Sequence, residues 1–257
     1  MNKTFKFVII TGIILILLGG LVYGAAYALG ERHLSASSVS VDIQSFEKSE
    51  ADNLKLDIGA ARLNIKKTHE NEFQIEAQYV LEGQFNAEIS GGTLMVSYNP
   101  KLSSFLSIGN ISVLGITSAN KTEAVITIYI PEGTVFKNAE INGGVGEYSI
   151  EYLNAEKLKF NGGIGEYNIH GDFGELDINA GIGIIKLTGS IERDISINGG
   201  VGEIKLDMAG DLNNYNVTVN GGIGGVTING DTSRSNPDAP YKLTVSGGVG
   251  SIDININ

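Results

Sequence analysis

Two features of this 257-residue chain set chemistry-bearing groups at fixed intervals: a glycine phrase repeated six times, and a column of carboxylates that follows it. The first copy reads Asn142-Gly143-Gly144-Val145-Gly146-Glu147-Tyr148, and equivalents start at Asn161, Asn179, Asn198, Asn220 and Ser246. Gly-Gly-x-Gly has two familiar uses, cradling phosphate on backbone N–H groups and turning a calcium-binding β-roll. Neither fits. A phosphate loop is a single strand-to-helix turn, whereas this phrase recurs with no helical pattern after it. The β-roll repeat places an Asp ligand two residues after its last glycine, where this chain has Tyr148, Tyr167, Ile185, Ile204, Val226 and Ile252.

The carboxylate column holds Glu147, Glu166 and Glu203, is interrupted by Ile184, and ends in Gly225 and Ser251. Carboxylates along one face serve parallel β-helix enzymes that cleave acidic polysaccharides, which makes a carbohydrate-active enzyme a reading to weigh. The rest of a catalytic constellation is missing. His33, His69 and His170 are scattered, and there is no Trp and no Cys, so no acid, base and orienting group converge. The expectation is a protein that is not an enzyme, with no catalytic, cofactor-binding or metal-ligating residues and no cofactor.

These residues must be positioned by something periodic. The copies start 19, 18, 19, 22 and 26 residues apart, the spacing of a stacked repeat. Aligned, they give apolar columns headed by Ala139, Ile141, Val145, Tyr148 and Ile150, each read as core that neighbouring coils bury for one another. The glycines fall at a corner between two strands, and the Asn142, Asn161, Asn179, Asn198 and Asn220 column suits side-chain amides that bond coil to coil. The opposite corner carries turn residues such as His170-Gly171-Asp172 and takes the insertion Thr232 to Pro240. The expected fold is all-β, a single-strand β-solenoid of stacked coils of about 18–19 residues, preceded by one N-terminal transmembrane helix.

Residues 1–30 read as a cytoplasmic tail and transmembrane anchor, 31–38 as a spacer, 39–133 as irregular N-terminal β coils with an insertion at 99–122, and 134–257 as the regular repeats. Phe7 to Leu29 runs 23 residues without a charge. At about 1.5 Å per residue that crosses a hydrocarbon core of about 30 Å. Lys3 and Lys6 precede the run, which places the N-terminus inside and the remainder outside the membrane. Ala26-Tyr27-Ala28 fits a signal-peptide cleavage site, but the run is longer than a signal core and is read as a retained anchor. Gly20, Gly24 and Ala28 would let two such helices approach closely, although small residues are common in membrane helices.

Beyond Lys6 the chain has 16 basic against 29 acidic residues, which argues against nucleic acid or an anionic lipid surface as partner. Three places where the repeat stops are candidate recognition sites. The 99–122 insertion carries Phe105 and Leu106 and is either an excursion over one side of the sheet or an apolar loop that meets the bilayer or a partner. The others are the Thr232 to Pro240 loop and the C-terminal strand, where Ile252, Ile254 and Ile256 end the chain with no cap. An open strand is a template for a protein partner or a second copy.

With the anchor, the Ile130-Pro131-Glu132-Gly133-Thr134 turn and the repeated Asn-Gly-Gly-[Val/Ile]-Gly-Glu phrase in place, residues 39–257 resemble a bacterial family. It comprises membrane-anchored, adhesin-like β-solenoid proteins of unknown function, whose domain also occurs in cell-envelope stress-response proteins. The resemblance implies a non-catalytic binding or scaffolding protein of the cell envelope, anchored by one helix in the cytoplasmic membrane. The alternative it leaves is a surface adhesin that binds cell-wall glycan or protein.

Overall fold

The computed structural model describes residues 39–100, 123–220, 222–229 and 236–257. Period-two alternation of β-branched and polar residues produces strands throughout, and they assemble into one open, continuously hydrogen-bonded stack with two faces.

In spatial order, the first face is β1 (Val39–Glu47), β4 (Glu72–Leu81), β7 (Val125–Pro131), β3 (Arg62–Thr68), the second half of β8 (Phe136–Ile150) and the first half of β10 (Ile164–Asn179). It continues with β11 (Ile182–Ile191), β13 (Val201–Ala209), β17 (Val249–Ile256) and β15 (Val226–Ile228). The second face is β5 (Phe85–Ser90), β6 (Thr93–Tyr98), β2 (Asn53–Ala60), the first half of β8 and β9 (Ala155–Asn161). After these come the second half of β10, β12 (Ile195–Asn198), β16 (Tyr241–Ser246) and β14 (Tyr215–Asn220). Pairing is parallel and in register along the repeats, so like stacks on like: Tyr148 on Tyr167, Ile204 on Ile252, Asn161 on Asn179. Antiparallel pairs are confined to the end formed by β1, β4 and β5, with β7 and β6 next to them.

The coils do not stack in chain order. The β2–β3 coil lies inside the later β6–β7 coil, and the last coil, β16–β17, inserts between β12–β13 and β14–β15. The widened spacings of 22 and 26 residues both belong to the second insertion, because the chain must pass over one level of about 4.8 Å and then return to fill it. The C-terminal strand is therefore not the open edge that its sequence position suggests. β17 pairs with β13 on one side and β15 on the other, and the edges at that end belong to β14 and β15.

The interior is apolar and continuous from Leu54, Leu56 and Ile58 through Ile141, Phe160, Ile178 and Ile197 to Leu243 and Val245. Repeats 134–257 and the β2–β3 coil share it, because β2 and β3 pair directly with β8. No helix among the described residues is long and apolar enough to cross a membrane, and Phe7 to Leu29 lies outside the described residues.

Candidate binding surface

The glycine corner is built by exclusion of side chains. A Cβ on Gly144 would collide with the carbonyl oxygen of Gly59, one on Gly163 with that of Gly144, one on Gly181 with that of Gly163, and one on Gly200 with that of Gly181. The last glycine of the phrase is equally confined, and at Gly183, Gly202 and Gly250 its φ lies at +137°, +140° and +136°, a region that side chains disfavour. The first glycine is less restricted, as Ala180 occupies that place in one coil.

Behind the corner two tyrosines satisfy the turned backbone. Tyr148 Oη donates to the carbonyl of Ile58 (2.8 Å) and accepts from Gly144 N–H (3.2 Å). Tyr167 Oη accepts from Gly163 N–H (2.9 Å) and donates to Gly144 O (3.4 Å). Their rings pack at 4.7 Å, and burial pushes both hydroxyls above the usual tyrosine range. Further along, Ile185, Ile204 and Ile252 are shorter, and a cavity of about 20 Å³ runs behind the glycines there. Four asparagines form the expected ladder, Asn161 donating to Asn142 (2.7 Å), Asn179 to Asn161 (3.1 Å) and Asn198 to Asn179 (2.7 Å), and it stops there because Ser246 stacks between Asn198 and Asn220.

One column departs from the sequence expectation. Val145, Ile164, Ile182, Val201, Val249 and Ile223 were expected in the core, yet they stand outside it, between 48% and 76% exposed. Counting back by twos from buried Tyr148 places Val145 outward; counting forward from buried Ile141 places it inward. The corner shifts the phase, and the downstream strand sets the outcome. The result is a row of six β-branched side chains about 24 Å long at about 4.8 Å per level, bordered by glycine troughs on both sides. Beyond the troughs lie the asparagine ladder on one flank and the glutamate column on the other.

Glu147 and Glu166 are poorly suited to acid–base work. Glu147 faces Arg62 at 3.5 Å, and Glu166 accepts from Lys186 (3.2 Å) and from Asn168 (3.3 Å). The hydrogen bond from Lys186, then that from Asn168 and the Lys186 charge, hold the Glu166 carboxyl below the usual range, the reverse of what a general acid requires. His69 bonds Glu132 and His170 bonds Thr188, on separate levels, and His33 lies outside the described residues. No cluster of metal-ligating side chains occurs among the described residues. A polar dish of about 290 Å³ is lined by Lys137, Lys157 and Arg193, whose charges are already taken up by Asp52, Glu175 and the Glu156 carbonyl.

Of the residues singled out in the sequence, Phe105 and Leu106 lie outside the described residues. Ile252, Ile254 and Ile256 are buried on the inner side of a strand paired on both edges, so they do not form an open docking edge. The ridge is what the column reading missed; its signal was the phase change across the glycines.

Comparison with known proteins gives a family and a set of distant structures. The model of the Toastrack DUF4097 family matches residues 51–245. A "putative cell adhesion protein" from Clostridium sporogenes is similar at 20% identity over 86% of this chain and 100% of its own, with a TM-score of 0.47. A "putative adhesin" from Bacteroides fragilis has 14% identity over 85% of this chain and 98% of its own, with a TM-score of 0.31. A "putative lipid binding protein" from Parabacteroides distasonis has 15% identity over 85% and 97%, with a TM-score of 0.32. No curated protein matches.

Proposed function

The chain belongs to the Toastrack DUF4097 family, and we propose that it is a non-catalytic binding and scaffolding protein of the bacterial cell envelope. The Phe7 to Leu29 segment holds it in the cytoplasmic membrane, with the solenoid on the outer side. The observation that carries the reading is the exposed aliphatic ridge on a rigid stack whose polar groups are bonded to one another along the surface. Apolar side chains kept in solvent at every level cost solubility, and contiguous patches of this kind mark contact surfaces. Glu147 and Glu166 beside it are ion-paired and face solvent, which favours recognition over catalysis.

Two measurements test this. Protease added to intact spheroplasts cuts the solenoid if it lies outside; protection, with an exterior control cut, refutes the placement. Purified protein is then incubated with peptidoglycan sacculi. Retention that is lost when Ile164 and Ile182 are changed to Ser supports a glycan-binding adhesin in place of a scaffold, whereas recovery in the unbound fraction supports the scaffold.

A further inference from the structure

We propose that the ridge is the contact between two copies of this chain, related by a two-fold axis parallel to the stack. A two-fold interface must be self-complementary. The corner meets that demand, because a row of side chains one residue wide runs beside a trough of the same length and period, where Gly144, Gly163, Gly181, Gly200 and Gly248 carry none. The Val145–Ile223 row of one copy seats in the glycine trough of the other at every level.

The flanks decide the direction of the axis. Each copy carries its asparagine ladder on one side of the ridge and Glu147, Glu166 and Glu203 on the other. Rotation by 180° about an axis along the stack exchanges the two sides, so the glutamates of one copy face the asparagines of the second. Asn161 and Asn198 each use one N–H on a neighbouring amide and keep the other for a carboxylate, while Asn179 also reaches Asp177 on its own strand (3.4 Å). The two glutamate columns are thereby kept apart, and both chains enter the membrane at the same end. That last agreement rests on the membrane-anchored reading above; the complementarity of ridge and trough does not.

The surface is small. A strip about 24 Å long and about five residues wide at about 3.3 Å each covers about 400 Å² per copy, half of the roughly 800 Å² of a standard interface. Pairing is therefore weak between free molecules and favoured where a membrane confines both copies and raises their effective concentration. Gly20, Gly24 and Ala28 in the anchor segment provide spacing compatible with close approach on the membrane side.

The chain has no cysteine, so single cysteines report contacts without background. Full-length chain carrying Ile164→Cys, Ile182→Cys or Val201→Cys is oxidised in native membranes, alongside Ser190→Cys at the opposite corner as control. Ridge variants are expected to give linked dimers in at least about tenfold higher yield than the control, since a disulfide requires Cα atoms within about 7 Å. Adding Ile164→Ser and Ile182→Ser to the Val201→Cys chain lowers its yield about fivefold or more. Circular dichroism of each purified variant verifies that the half-exposed positions leave the fold intact.

Ridge yields no higher than that of Ser190→Cys overturn the interface. Cross-linking of Val145→Cys to Val249→Cys, with neither linking to itself, overturns the parallel axis. Protection of the solenoid in spheroplasts overturns the exterior placement and leaves the cross-linking result standing, so the two readings fail separately.

Discussion

Replacing Gly163 by alanine tests how the corner is made. The added methyl meets the carbonyl oxygens of Gly144 and Gly143, which are fixed backbone and cannot swing aside as a side chain would. Relief requires two levels to part, which strains packing by about 1–3 kcal/mol. It also weakens the two bonds that tie these levels through Tyr167, Gly163 N–H to Tyr167 Oη (2.9 Å) and Tyr167 Oη to Gly144 O (3.4 Å), at about 1 kcal/mol each. The sum is about 3–5 kcal/mol, or a fall of about 6–20 °C in Tm at the 2–4 °C per kcal/mol of a domain this size. Gly225→Ala is the matched control, because nothing lies within 4 Å of its added carbon. There the lost freedom of the unfolded chain stabilises by up to about 1 kcal/mol. Thermal unfolding of the full-length chain in detergent, followed by circular dichroism, gives both numbers. If both variants melt within about 2 °C of the parent, glycine is not required by backbone contact and the account of the corner is wrong.

Tyr167→Phe removes an acceptor for Gly163 N–H and is expected to cost about 1–2 kcal/mol in urea unfolding, whereas Tyr215→Phe costs nothing or stabilises, because the Tyr215 hydroxyl is buried without a partner among the described residues. A Tyr167→Phe midpoint equal to the parent's contradicts this. Acid stability follows from carboxyls held low in the fold: the Lys67 hydrogen bond and charge act on Glu132, and Lys186 acts on Glu166. A depressed folded pKa stabilises above the unfolded value and is lost as pH falls through the folded one, so stability declines below about pH 4.3, and Glu132→Gln flattens the decline. An unchanged slope in Glu132→Gln assigns the acid response to other groups.

Much of this fold was legible because stacking turns repetition into contact. Every column headed by Ile141, Tyr148 or Ile150 pairs in register with its copies, and the asparagines from Asn142 to Asn198 form the ladder their amides suggested, which Ser246 interrupts before Asn220. Two things were not legible. Chain order does not encode level order: in parallel pairing all repeats are interchangeable neighbours, so Ile252 and Ile254 could end the sequence and still lie inside the stack. Only the 22- and 26-residue spacings hinted at the extra path. The ridge was hidden by composition, since Val145 and Ile164 are the residue types of a core. Their exposure follows from a phase shift at glycines that no single strand displays.

The most direct test of recognition at the ridge is photocross-linking in native membranes. A benzophenone residue placed at Ile182 is compared with one at Asp253, which faces outward on β17 away from the corner. The account predicts a discrete covalent adduct from position 182 and none from position 253. An adduct from position 253 with none from position 182 would contradict it.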